Sequence, residues 1–299
     1  MKLKTRVFDM FRSLVRVVGF DRVLRNYTRN KPYDGFICKL VPNIYQYPPG
    51  TIRTFENNGV KFEVDLHDYL GHYIYYGFFD PSQSSLFSLC REGDVILDIG
   101  TNIGFSLLNM ANIVQPNGFI VGFEPDPVNF SLLKKNISLN QLSNFAVHQI
   151  GLGDRPGKFK LENVIEFNSG GKRIVPSGSS SGNFAEVEID TLDNFLSVSQ
   201  LSINKIDLIK IDVEGFEMNV LKGGINTIKR YSPVLYIELD DNNLREQTSS
   251  ARDLIQFLSQ LGYSIVNAET KLPVTVNDDF RNCHYDIICR KKSPTSSPT

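Results

Sequence analysis

Net charge is nearly absent from this sequence: 32 Lys and Arg against 33 Asp and Glu leave −1 over 299 residues. A protein that grips nucleic acid through phosphate contacts carries a basic excess, so that class is set aside. Cysteine is scarce as well. Cys38, Cys90, Cys283 and Cys289 form no C-x-x-C pair and have no histidines at zinc spacing, so they read as reduced thiols of a cytoplasmic setting. No uninterrupted apolar stretch follows the basic N-terminus, so neither a signal peptide nor a membrane span is expected. The G-x-G-x-x-G fingerprint of dinucleotide-binding folds is missing too. What remains is an ordinary globular balance, 41% hydrophobic and 22% charged, with enough apolar material for a sizeable core.

The chain divides by rhythm. Through Lys31 the charges are mostly Lys and Arg, with Leu3, Val7, Phe8, Phe11, Leu14, Val15 and Val18 at helical spacing. This basic amphipathic helix suits packing as an accessory element or peripheral contact with an anionic membrane surface. The stretch 51–66 alternates around Asn58-Gly59, a hairpin turn signal. An aromatic segment holding His67 and His72 follows and reads as a lid. These parts make an N-terminal extension, 1–76.

From Gly93 onward strand and helix patterns alternate, which argues for a parallel α/β domain over 77–292. Strands are expected at Val95 to Gly100, Phe119 to Glu124, Phe145 to Ile150, Ile206 to Asp212, Val234 to Leu239, Ser264 to Asn267 and Tyr285 to Arg290. Helices should fill 103–114, 127–140, 217–230 and 249–261. The glycine-rich and serine-rich region 157–190 reads as a hairpin excursion, and the tail 293–299 as disordered.

Two strand ends carry chemistry. "VILDIGTNIGFSLL" is strand, glycine turn and helix: Gly100 and Gly104 allow a sharp turn, and the helix start offers amide donors. Asp98 in that strand suits a cationic ligand better than a pyrophosphate. "VGFEPDP" ends the next strand with Glu124, where a ribose diol is bound in Rossmann arrangements. Together they point to a nucleoside-binding site.

These segments resemble class I S-adenosylmethionine-dependent methyltransferases. Together with "IDTLDNFL", "IDLIKIDVEGFEMNVLKGG" and "PVLYIEL" they are similar to the FkbM-type family over about residues 77 to 240. "GFFDP" resembles the family's aromatic-Glu-Pro element, with Asp80 where Glu is usual, and Thr101 stands where Ala is common. The resemblance implies a Rossmann-like sheet of seven strands, the last antiparallel, with helices on both faces. It also implies S-adenosyl-L-methionine at the carboxyl ends. Asp80, Asp98, Gly100, Thr101, Asn102 and Gly104 would lie near its methionine portion, Glu124 with Pro125 near the ribose, Gly151 and Leu152 near the adenine, and Asp212 at the rim. The acceptor would be a hydroxyl of a sugar, glycan, glycolipid or secondary metabolite, with a glycan or glycolipid sugar preferred.

"DLIKIDVEG" poses a separate puzzle, because Lys210, Asp212 and Glu214 share one face of an otherwise apolar strand. Charges at the end of a buried strand should pair with one another or face a ligand. Asp212 is the first candidate for orienting or deprotonating a hydroxyl, Glu238 the second, with Lys210 as ion partner and His72 of the lid as another proton acceptor. Asp212, Glu238 and the polar stretch after them raise the question of magnesium, but no metal ligand is assigned. A silent binding protein on the same fold and a nicotinamide-dependent oxidoreductase are the rival readings. The second lacks its glycine pattern.

Overall fold

The computed structural model describes residues 9, 10, 12, 13, 20–163, 168–175 and 184–292. Most of the basic N-terminal helix, the tips of the 157–190 excursion and the 293–299 tail lie outside them. The chain forms two compact units. One holds the described residues up to Pro81 with Asn168 to Gly170, and the other holds the rest.

In the N-terminal unit, strands β1 (Ile52–Asn57) and β2 (Val60–Asp65) pair antiparallel with Asn57 opposite Val60. Asn58 and Gly59 between them take φ of 50° and 83°, the left-handed pair a tight hairpin requires. The helix Tyr69–Tyr76 is capped by Asp68, which accepts from Gly71 N, and stops at Gly77 with φ 61°. Ile74, Tyr75, Tyr76 and Phe78 are buried. Much of the expected lid is therefore the core of this unit, because a helix this rich in aromatics must hide most of its surface from water.

The larger unit is built on a seven-stranded sheet. Its strands are β3 (Val95–Ile99), β4 (Phe119–Phe123), β5 (Phe145–His148), β10 (Leu208–Ile211), β11 (Val234–Asp240), β12 (Tyr263–Asn267) and β13 (His284–Lys291). The order across the sheet is β12-β13-β11-β10-β3-β4-β5. Only β13 runs antiparallel to its neighbours, as the resemblance implied. The central strands are apolar on both faces because helices cover both: Ile96, Leu97, Ile120, Val121, Ile209 and Leu235 have no measurable exposure. Burying each such side chain stabilises by about 1.5–3 kcal/mol.

The helix expected over 103–114 begins at Phe105, since Gly104 is left-handed at φ 90°. The one expected over 217–230 is two, Glu217–Gly223 and Ile225–Tyr231. They part at Gly223-Gly224, where a Cβ on Gly223 would meet the Gly153 carbonyl at 1.8 Å. The polar stretch after β11 is the short helix Asp241–Glu246 rather than a loop. The 157–190 excursion supplies β7 (Gly157–Asn163), β8 (Lys172–Val175) and β9 (Phe184–Asp190). With β6 (Gly151–Leu152) they form a second sheet in the order β6-β9-β7-β8.

Candidate active site

Register decides which side chains meet at the carboxyl edge. Asp98 of β3 is opposite Lys210 of β10, and Lys210 is opposite Tyr236 of β11. Two residues further on, Glu238 is opposite Asp286, and then Asp240 opposite His284. Because every second residue returns to the same face, one column of ionisable groups runs from the middle of the sheet to its rim.

Lys210 is the hub of the inner part. Its Nζ stands 3.2 Å from Asp98 Oδ1 and 3.3 Å from Asp212 Oδ2, and donates to the Gly100 carbonyl at 3.0 Å. Burial alone would lower its pKa, but Asp212 and Asp98 outweigh that and hold the ammonium protonated. Lys210 is therefore a permanent cation that ties β10 to the glycine turn. It has no lone pair to offer as a base.

Asp98 has no exposed surface and takes a hydrogen bond from Ser106 Oγ at 2.8 Å. Through Lys210 it is tied to the glycine turn, so its direct contacts are with the protein's own groups. Thr101 is likewise enclosed, its Oγ1 donating to the Asp98 carbonyl. Gly100 has φ 84°, and a Cβ there would lie 1.8 Å from the Asp212 carbonyl, so the turn passes β10 closer than any other residue permits. Gly104 starts the Phe105–Val114 helix against Leu133.

Glu124 is the carboxylate the turn addresses. It accepts from Asn102 N at 2.8 Å and from Asp126 N at 2.9 Å, bridging the ends of β3 and β4. Burial pushes its pKa up to about 7, against the two amides that favour the ionised form. Asp126 caps the Pro127–Ser138 helix and is bound by Lys172 of β8 at 2.6 Å, so the second sheet braces this corner. Pro125 lies beside Gly151, which with Leu152 is buried in β6.

Asn102 holds a left-handed φ of 52°. Its Oδ1 is buried without a partner, as is His148 Nε2 at the end of β5. Two orphaned polar atoms flanking Glu124 fit a site that expects a polar ligand.

The outer part is crowded with acid. Glu238 is driven well above the usual carboxylate range by burial and then by Asp212 and Glu214, and its Oε2 has no partner. Both causes favour its protonated form, in which it would donate a hydrogen bond rather than accept a proton. Glu214 is raised to about 8 and Glu217 to about 7, burial being the main cause for both. Asp212 is the accessible carboxylate of the group, its side chain 44% exposed. Among the described residues no group of three or more His, Cys, Asp or Glu is placed to hold a metal ion.

The family model described as "Methyltransferase FkbM domain" matches residues 98–265. That span runs from Asp98 of β3 into β12 and is more than half of the chain. The chain belongs to this family. The match thus covers most of the larger unit, with β13 beyond it. Among curated relatives, Methyltransferase 1 of Beauveria bassiana is 30% identical over 147 residues, 44% of this chain and 59% of that protein. The 2-O-methyltransferase NoeI of Sinorhizobium fredii is 27% identical over 57% of this chain and 74% of its own length. The hexuronic acid methyltransferase AglP of Haloferax volcanii is 28% identical over 48% of this chain and 56% of its own. The match with the fungal protein thus spans under two thirds of that relative's length.

Two expected site residues belong to the N-terminal unit. His72 is buried, its Nε2 2.8 Å from the Pro42 carbonyl, and burial lowers its pKa to about 4. With Nε2 taken by that carbonyl and its pKa lowered, the imidazole is a poor proton acceptor, although it lines the cleft of the same unit. Asp80 stands just before the helix Pro81–Leu89, in electrostatic contact with Tyr69. The same unit contains a cleft of 470 Å³ whose lining includes Tyr33, Tyr45, Tyr69, Tyr73, Asn43 and Lys39. Tyr33, Tyr45 and Tyr69 are about half exposed or more.

Proposed function

We propose that this chain is an S-adenosylmethionine-dependent O-methyltransferase acting on a hydroxyl of a sugar or glycan. The observation that carries the reading is the Glu124 bridge. A buried carboxylate at the end of β4 is held by Asn102 N of the glycine turn, and orphaned polar atoms stand on either side of it. Glu124 has lone pairs left for two vicinal hydroxyls, Asn102 Oδ1 and His148 Nε2 can take further polar groups, and Asp212 offers an accessible carboxylate to a cationic one. The bound sulfonium supplies an electrophilic methyl group. The protein's own task is to hold the acceptor oxygen in line, exclude water and take up the hydroxyl proton.

Sugars are favoured as acceptors because AglP is named for a hexuronic acid, and NoeI for 2-O-methylation.

Calorimetric titration with S-adenosylmethionine and with NADH tests the reading. Binding of the first is expected to strengthen as pH rises through about 7, where Glu124 ionises. Glu124→Gln should weaken it about 10- to 100-fold, since hydrogen bonds to a charged group contribute about 1.5–3 kcal/mol, and should flatten the pH dependence. Labelled-methyl transfer to glucuronic acid and a panel of neutral sugars then identifies the acceptor. A preference for NADH, or no binding of either by folded protein, refutes the assignment.

A further inference from the structure

The column of ionisable groups ends on a residue that strand patterning alone does not reveal. His284 opens β13, and antiparallel pairing sets it opposite Asp240 at the carboxyl end of β11. Its Nδ1 is 2.9 Å from Asp240 Oδ2 and 3.9 Å from Glu238 Oε1. Asp240 is fixed in turn, because its Oδ1 accepts from Asn242 N and Asn243 N and caps the Asp241–Glu246 helix. The imidazole is thus oriented by a carboxylate that two amides hold still. With Nδ1 committed to Asp240, Nε2 is left as the basic nitrogen. The side chain is 68% exposed, so a molecule arriving at this edge can reach it.

We propose that His284 is the general base that takes the proton of the acceptor hydroxyl and that Asp240 is its positioning residue. This rests on the methyltransferase reading above. The acceptor oxygen bonds to the methyl carbon as the carbon–sulfur bond of the sulfonium breaks. The electron pair of that bond returns to sulfur, and the hydroxyl proton passes to Nε2 and then to water. The other groups of the column are less suited. Lys210 is held protonated by its two carboxylate partners, Glu238 is pushed toward its protonated form by burial and acid neighbours, and Asp212 is ion-paired with Lys210. The groups facing His284 are Asp240 and Glu238, both from β11. Asp241, on the helix that follows, is turned to Ala251 N and Arg245.

The test combines turnover with nitrogen-15 histidine NMR on the full chain. His284→Gln should lower methyl transfer about 100-fold or more, the usual contribution of a general base. S-adenosylmethionine binding should stay within twofold, and the acid limb of the pH–rate profile should disappear. Asp240→Asn should lower transfer about tenfold, with the cap retained because asparagine also caps helices. In the spectra, neutral His284 should carry its proton on Nδ1, and Asp240→Asn should remove that preference. Transfer that survives His284→Gln with an unchanged pH profile overturns this proposal alone, as does a neutral Nε2–H tautomer in the parent protein. No transfer by the parent protein to any acceptor overturns both the proposal and the function beneath it.

Discussion

Around β3 and β4 the carboxylates at the strand ends are matched by donors, whereas around β10, β11 and β13 carboxyl groups crowd one another. Asp98 has Lys210 and Ser106; Glu124 has the amides of Asn102 and Asp126. On the other side Asp212 is a cause of the raised pKa of Glu214, Glu217, Glu238 and Asp286 alike. The first half is preorganised: its polar groups are held before any ligand arrives, so little ordering remains to be done on binding. The second half stores protons instead. Buried carboxyls that crowd one another are pushed toward their neutral forms, in which they can serve as donors.

The largest effect should come from removing the link between the halves. Lys210→Met leaves Asp98 buried beside Asp212 with no cation, at a cost of about 3–5 kcal/mol, read as a lower denaturation midpoint. Adding Asp98→Asn should restore part of it. If the single variant is as stable as the parent, the two halves are not joined through Lys210.

An intermediate effect should appear in the pH dependence. Glu214 and Glu217, like Glu124 in the first half, have folded pKa values raised above their unfolded ones. Their contribution to stability is full below about pH 4.5 and is lost as pH rises through about 7–8. Thermal melts should therefore show the protein weakening from pH 6 to 9. Glu214→Gln should flatten that slope, gaining on the order of 1 kcal/mol at pH 8.5 relative to the parent. A slope unchanged by the substitution would mean that the crowding is relieved in solution.

An effect of similar size belongs to the preorganised half. Ser106→Ala removes one of the donors to Asp98 and should cost about 1–2 kcal/mol, visible in the melt at every pH. A pH-dependent loss would blur the distinction between the halves.

Much of the preorganised half was legible in the sequence. The glycine turn after "VILDI" and the acid ending "VGFE" announce themselves locally, since a turn needs its glycines and a strand its apolar run. The hairpin at Asn58-Gly59 was legible for the same reason. His284 was not, because alternation tells which residues of one strand share a face but not which strand will adjoin it. Asp240 and His284 are 44 positions apart and meet only through antiparallel pairing. His72 misled in the opposite direction: an aromatic-rich segment looks equally like a lid and like a core until burial is known. Asp98 was legible as an acid at the end of a strand, but its enclosure was not, since that depends on Lys210 reaching across from β10.

The pairing of Lys210 with Asp98 and Tyr236 also limits how this chain can change length. Adding or deleting one residue within Leu208–Ile211 would turn Lys210 and Asp212 to the opposite face of the sheet and send apolar side chains into their places. Loops between the strands carry no such constraint, and the 157–190 excursion shows how much sequence one of them absorbs. Insertions are therefore confined to the loops of this protein, because residue count in the central strands is fixed by the side chains that must meet across them.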